Sequence, residues 1–168
     1  MRFVLICSAL VIASVRPCSA ELIGVSWFGP VYRINEVTGN ATIINALASI
    51  RMNSLARDSA GRLFSVGGTN SNQLININPK TGQIISSKQL PISDFRGMAF
   101  SPTDQLFATH TIDLVGPGFQ TELMVIDVNT ANVTSRGVLD LGVGGLTFSK
   151  DGTLYGILVQ AAKATVTV

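Results

Sequence analysis

From Leu22 onward the apolar positions come in short bursts of Ile, Val, Leu, Phe and Tyr, separated by Gly, Asn, Asp and Pro. No burst holds the 3.6-residue spacing of an amphipathic helix, so the pattern predicts short strands joined by tight turns. "INALASIRM" from Ile44 is long enough for one helical turn; it is read as a strand end and a crossover loop.

The bursts repeat. "DSAGRLFSV" from Asp58, "SPTDQLFAT" from Ser101 and "SKDGTLYGI" from Ser149 align on Leu63-Phe64, Leu106-Phe107 and Leu154-Tyr155. A fourth copy is Leu22-Ile23, and a small residue follows each pair: Gly24, Ser65, Ala108 and Gly156. A second anchor recurs in "VYRINEVTGNATI", "LININPKTGQII" and "LMVIDVNTANVT". There an apolar strand runs into Asn35, Asn78 or Asp127, whose side chain can bond the backbone two residues on. Gly39 and Gly82 then supply the positive φ that closes a hairpin. The third copy has Ala131 at that place, so either Asn132 takes the strained position or the turn differs. A third anchor, "SLARD", "GMAFS" and "GLTFS", leads directly into the first.

Four short strands recurring every ~45 residues are the signature of a β-propeller blade. The chain resembles the broad superfamily of propeller repeats that includes WD-repeat, NHL, YVTN-type and quinoprotein-like proteins, in the texture of secreted bacterial members. The paired Gly-His and Trp-Asp of WD repeats are missing. The expected fold is an all-β array of four-stranded antiparallel blades, with units near 22–53, 54–95, 96–143 and 144–168. Innermost strands are expected near 54–58, 96–101 and 144–149. The expected core is Leu55, Leu63, Phe64, Ile77, Met98, Phe100, Leu106, Phe107, Ile126, Leu146, Phe148, Leu154 and Tyr155. This amounts to about three and a third blades, where closed rings have about four to eight. A truncated chain, a ring completed by self-association and an open stack are the three readings of that count.

The first residues are of a different kind. A basic "MR", the apolar "FVLICSALVIASV" and the small-residue end "RPCSA" have the layout of a secretory signal peptide over 1–20. The mature protein is expected to start at Glu21 and to be secreted or periplasmic. The apolar run is short for a membrane span, so no stable membrane insertion is expected after cleavage; a membrane anchor is the alternative. Both cysteines, Cys7 and Cys18, fall in this leader, which leaves no disulfide or thiolate metal site beyond it. Arg2 and Arg16 also leave with it. Ten basic residues then stand against ten acidic ones, a balance that argues against nucleic acid as a partner. Charged residues make up only 13% of the chain, against about 25% in a typical domain.

In propellers, ligands usually sit where loops enter the innermost strands. The resemblance carries that to Met52-Asn53, Phe95-Arg96 and Val143-Gly144. Asn53, Asp94, Arg96 and the single histidine, His110, are therefore the candidate binding residues, for an unknown ligand or protein partner. The alternative is an Asp94–Arg96 surface contact of little energy and a structural histidine. The Gly142–Gly145 run precedes an innermost strand, where glycine permits close packing at the axis. Phosphate-binding, nucleophile-elbow and HExxH motifs are not found, and no catalytic residue, metal or cofactor is assigned. The reading is an exported, non-catalytic binding or scaffolding module. The alternative is a propeller hydrolase or lactonase-like enzyme, which would hold calcium at the axis with several oxygen ligands.

Overall fold

The computed structural model describes residues 22–46, 50–67, 71–113, 120–139 and 141–159. The leader, the segment 163–168 and Asp140 lie outside the described residues, as do the expectations placed on them.

Thirteen strands form among the described residues, in four antiparallel sheets. The first sheet has β1 (Leu22–Val25), β2 (Pro30–Ile34) and β3 (Ala41–Ala46) in that order. The second is β4 (Met52–Arg57), β5 (Leu63–Gly67), β6 (Gln73–Ile77) and β7 (Ile84–Gln89). The third is β8 (Phe95–Phe100), β9 (Leu106–Asp113), β10 (Gln120–Ile126) and β11 (Val133–Leu139). The last pairs β12 (Val143–Phe148) with β13 (Leu154–Leu158). Each sheet is a meander in sequence order, and β8 packs between β4 and β12. The fold is thus an all-β array of blades, and the described residues close no ring.

Two turn types recur. The turn between the first two strands of a full blade runs from Asp58, Ser101 or Ser149, whose N–H bonds the carbonyl four residues on. Its fourth residue has a positive φ: Gly61 at 81°, Asp104 at 59° and Gly152 at 86°. The hairpin between the last two strands is held by Asn35, Asn78 or Asp127, whose Oδ1 accepts from the N–H groups two and three residues on. Gly39, Gly82 and Ala131 complete it at φ 73°, 69° and 62°. Ala131, not Asn132, takes the left-handed position, and the turn is the same in all three copies.

The blades pack through two apolar clusters. Val31 of the first blade meets Met52, Leu63, Ile75 and Ile77 of the second. Phe64, Val66 and Leu74 of the second meet Met98, Leu106, Met124 and Ile126 of the third, with Phe95 and Leu90 fully buried beside them. Residues alternate between these clusters because successive strand side chains point to opposite faces, and the second blade is covered on both; the other face of the third meets the fourth sheet through Phe107 and Phe148. Leu63, Phe64, Ile77, Met98, Leu106 and Ile126 are buried as expected. Leu55, Phe100, Phe107, Leu146, Phe148 and Leu154 are half-buried. Tyr155 departs from expectation: it is 54% exposed, because it lies on the face of β13 turned away from the third blade.

The inner strands belong to separate sheets, so side chains join them where no backbone ladder does. Ser54 Oγ accepts from Met98 N–H at 3.0 Å. The buried Thr109 Oγ1 accepts from Gly97 N–H at 3.0 Å and donates to Val143 C=O at 3.0 Å. A Cβ on Gly97 would lie 2.8 Å from Gly145 Cα and 2.9 Å from Leu146 N. Glycine is therefore required where these two inner strands meet backbone to backbone. Toward the rim, the preceding blade caps the outer hairpins of the second and third blades. Arg33 donates to Lys80 C=O at 3.0 Å and Asn45 to Gly82 C=O at 3.1 Å. Lys88 donates to the carbonyls of Val128 and Asn129.

Candidate binding site

The loop entering the third blade is set by its own backbone. Asn72 C=O accepts from Leu90 N–H at 2.7 Å, and Asn72 Nδ2 donates to Leu90 C=O at 3.1 Å. With Leu90 buried as an anchor, the chain turns through Asp94, which sits at φ 61°. That left-handed conformation is uncommon for a residue other than glycine, and Asp is among those that tolerate it best. Asp94 C=O accepts from Thr111 N–H at 3.1 Å, which prolongs the β8–β9 pairing past the end of β8.

The four candidates gather around Phe95. Asn53 of the second blade donates through Nδ2 to Phe95 C=O at 2.6 Å. His110 is the cross-strand partner of Phe95, with ring centroids 5.9 Å apart at 53°. Arg96 Nε donates to Thr111 Oγ1 at 3.0 Å. Asp94 Oδ2 accepts from Ser93 Oγ at 3.3 Å. Met52, Asn53, Phe95, Arg96, Val143 and Gly144, expected on entry loops, instead form the first residues of β4, β8 and β12. Burial decides this: Met52, Phe95 and Val143 are apolar and buried, so the pairing runs to the end of the apolar pattern.

Two buried atoms in this region make no hydrogen bond among the described residues: Asp94 Oδ1 and His110 Nδ1. Glu122 comes nearest to the histidine, with Oε2 3.9 Å from Nδ1. It is the cross-strand neighbour of His110 on β10, and Ser135 Oγ donates to its other oxygen. Glu122 did not stand out in the sequence, because its place opposite His110 depends on the β9–β10 register across a long connection. A groove of about 530 Å³ opens beside the histidine, lined by Asn72, Pro91, Ile92, Ser93 and His110. A buried polar atom left without a partner costs about 1–3 kcal/mol. His110, which lines the groove, is the place where a ligand's hydroxyl or amino group would be well received; Asp94 follows the lining residue Ser93 in the chain and is itself outside the lining. No cluster of three or more His, Cys, Asp or Glu able to hold a metal is found among the described residues.

No family model and no curated protein matches the sequence. Solved structures do match the fold. The WD40 propeller domain of Doa1 is similar with a TM-score of 0.55 at 10% identity, over 84% of this chain and 45% of that one. A chain of the mitotic checkpoint complex is similar with a TM-score of 0.54 at 16% identity, over 82% of this chain and 42% of that one. Hydrazine synthase of Kuenenia stuttgartiensis reaches 0.54 at 18% identity, over 81% and 41%.

The chain is an array of β-propeller repeats. It spans less than half the length of each of these neighbours. At such identities the likeness speaks for the fold alone. The propeller array presents the Phe95 region at the ends of its inner strands.

Proposed function

We propose that this propeller array is an exported, non-catalytic binding or scaffolding module that uses the groove beside His110. One observation carries the reading: His110, whose buried Nδ1 makes no hydrogen bond among the described residues, lines an open polar groove. Asn53, Arg96 and Thr111 are engaged in bonds that position the strand ends, so they shape the site. The ligand class that fits is a small uncharged polyol or a peptide with a free hydroxyl, able to hydrogen-bond the imidazole of His110. A protein partner presenting such a group is the scaffolding form of the same reading. The solved neighbours include both a WD40 domain and an enzyme, so the fold is compatible with either kind of role.

The test is saturation-transfer NMR with a panel of monosaccharides and Ser/Thr peptides. Signal from one class, abolished by His110→Phe and reduced by Asp94→Ala, is expected. Equal signal in the wild type and both variants would defeat the site. Stoichiometric calcium with ligands from Asn53 or Asp94 would favour the hydrolase reading instead. Export is checked separately, by N-terminal sequencing of secreted protein, with Glu21 expected first.

A further inference from the structure

The blade-to-blade contact is built twice inside the chain in one register. Phe64 of β5 stands against Phe100 of β8, with centroids 5.7 Å apart; Phe107 of β9 stands against Phe148 of β12 at 5.3 Å. Two residues further on, Val66 and Thr109 lie on the same faces and are fully buried. Tyr155 and Ile157 hold the equivalent places on β13. They are 54% and 71% exposed, and the cross-strand register sets the exposed Thr147 on the same face. This is a blade face made for contact, with nothing against it among the described residues.

Part of the other half of that contact is present at the far end of the array: Leu22, Tyr32 and Ile34 stand where Leu106, Met124 and Ile126 meet Phe64 and Val66 in the third blade, while the inner-strand part held by Phe100 and Phe148 has no counterpart among the described residues of the first sheet. The registers Leu22↔Ile34 and Tyr32↔Ile43 put these four residues on one face of the first blade, since directly paired residues share a face. The opposite face, with Val31, is the one packed on the second blade. Leu22 occupies the place that Leu63 fills in the second blade. Leu63 is 6% exposed and covered by the first blade, whereas Leu22 is 50% and Ile43 55% exposed. Neither terminal face carries a charged residue among those named.

We propose that a second copy of this chain stacks head to tail, with Leu22, Tyr32, Ile34 and Ile43 of one copy against Tyr155 and Ile157 of the other. A second copy is the fitting occupant because the contact continues an interface already formed twice within the chain, and one chain carries one half of it and part of the other. Such a contact is heterologous, so it closes into a ring if the rotation allows and otherwise grows into an open stack. Two copies supply eight sheets, within the ~4–8 blades of closed propellers. The proposal stands apart from the ligand groove at His110.

The full chain is examined by sedimentation velocity over a hundredfold concentration range. A dimer is expected; larger species that grow with concentration support open stacking. Ile157→Asp and Leu22→Asp should each weaken self-association at least tenfold, with far-UV circular dichroism unchanged. An equimolar mixture of the two variants should recover a one-to-one complex, because each variant keeps one intact face. A monomer at all concentrations overturns the proposal. So does a dimer that Ile157→Asp dissolves and Leu22→Asp leaves intact, since that pattern belongs to symmetric β13–β13 pairing. Should either variant unfold, Tyr155→Arg and Ile43→Lys repeat the test with the same two outcomes.

Discussion

Ala131 shows that a turn position usually held by glycine can keep a methyl. It takes the position that Gly39 and Gly82 hold in the sister hairpins, at φ 62°. A left-handed alanine costs about 1–2 kcal/mol, while burial of its methyl against the Phe64–Met98 cluster returns about 0.8 kcal/mol. Ala131→Gly should therefore change stability by less than about 1 kcal/mol. Gly39→Ala meets no atom within 4 Å, so it pays the backbone term alone and should destabilise by about 1–2 kcal/mol in urea unfolding. Asp104 is a second residue of this kind. Its carboxylate accepts from both the N–H and the hydroxyl of Ser59 in the preceding blade. The Ser59 hydroxyl first, and the Ser59 amide second, hold its pKa below the ordinary 3.8. A lowered native pKa adds stability that is present above the ordinary value and lost as pH falls through the native one. Thermal melts from neutral pH to acid below about pH 4 should therefore show a smaller acid-induced drop for Asp104→Asn than for the wild type. An identical drop would mean that this exposed contact adds nothing.

At the level of elements, the inner strands depend on Thr109. Its hydroxyl bridges Gly97 N–H and Val143 C=O between the third and fourth blades. Thr109→Val keeps the shape but leaves both backbone groups without that partner. Each buried orphan costs about 1–3 kcal/mol, so the variant should lose roughly 2–6 kcal/mol by chemical denaturation. A loss under about 0.5 kcal/mol, the size of an ordinary surface change, would show that water or the backbone replaces the hydroxyl. Gly97 sets the same junction from the other side, since a methyl there would lie 2.8 Å from Gly145 Cα.

Across the whole molecule, stability follows the number of covered blade faces. A repeat array holds together by contacts between neighbours. The second blade is packed on both faces and the third meets the fourth sheet through its inner strands, while β13 is exposed along its length. Hydrogen exchange should protect the amides of β5, β6 and β9 most, with those of β13 exchanging early. Under conditions where the chain self-associates, β13 protection should rise with concentration. Protection of β13 equal to that of β6 in a verified monomer would contradict this gradient.

Much of the fold was legible in the sequence because turns are local. Asn35, Asn78 and Asp127 bond backbone two and three residues away, so their spacing alone announced the hairpins, and the Leu-Phe pairs marked the strands that follow the first turns. The repeat register put Asn53 and Arg96 at equivalent strand starts, but that Asn53 reaches Phe95 C=O and that His110 pairs across from Phe95 could not be anticipated from it. Nor could which atoms of these residues and of Asp94 stay unpaired, since that depends on contacts with Thr111 and Ser93 and on the place of Glu122. The exposure of Tyr155 is the same lesson at larger scale. Its pattern matches Phe64 and Phe107, and the pattern says only that a face is apolar. Whether that face is buried depends on the neighbour it meets, and that is a property of the tertiary arrangement.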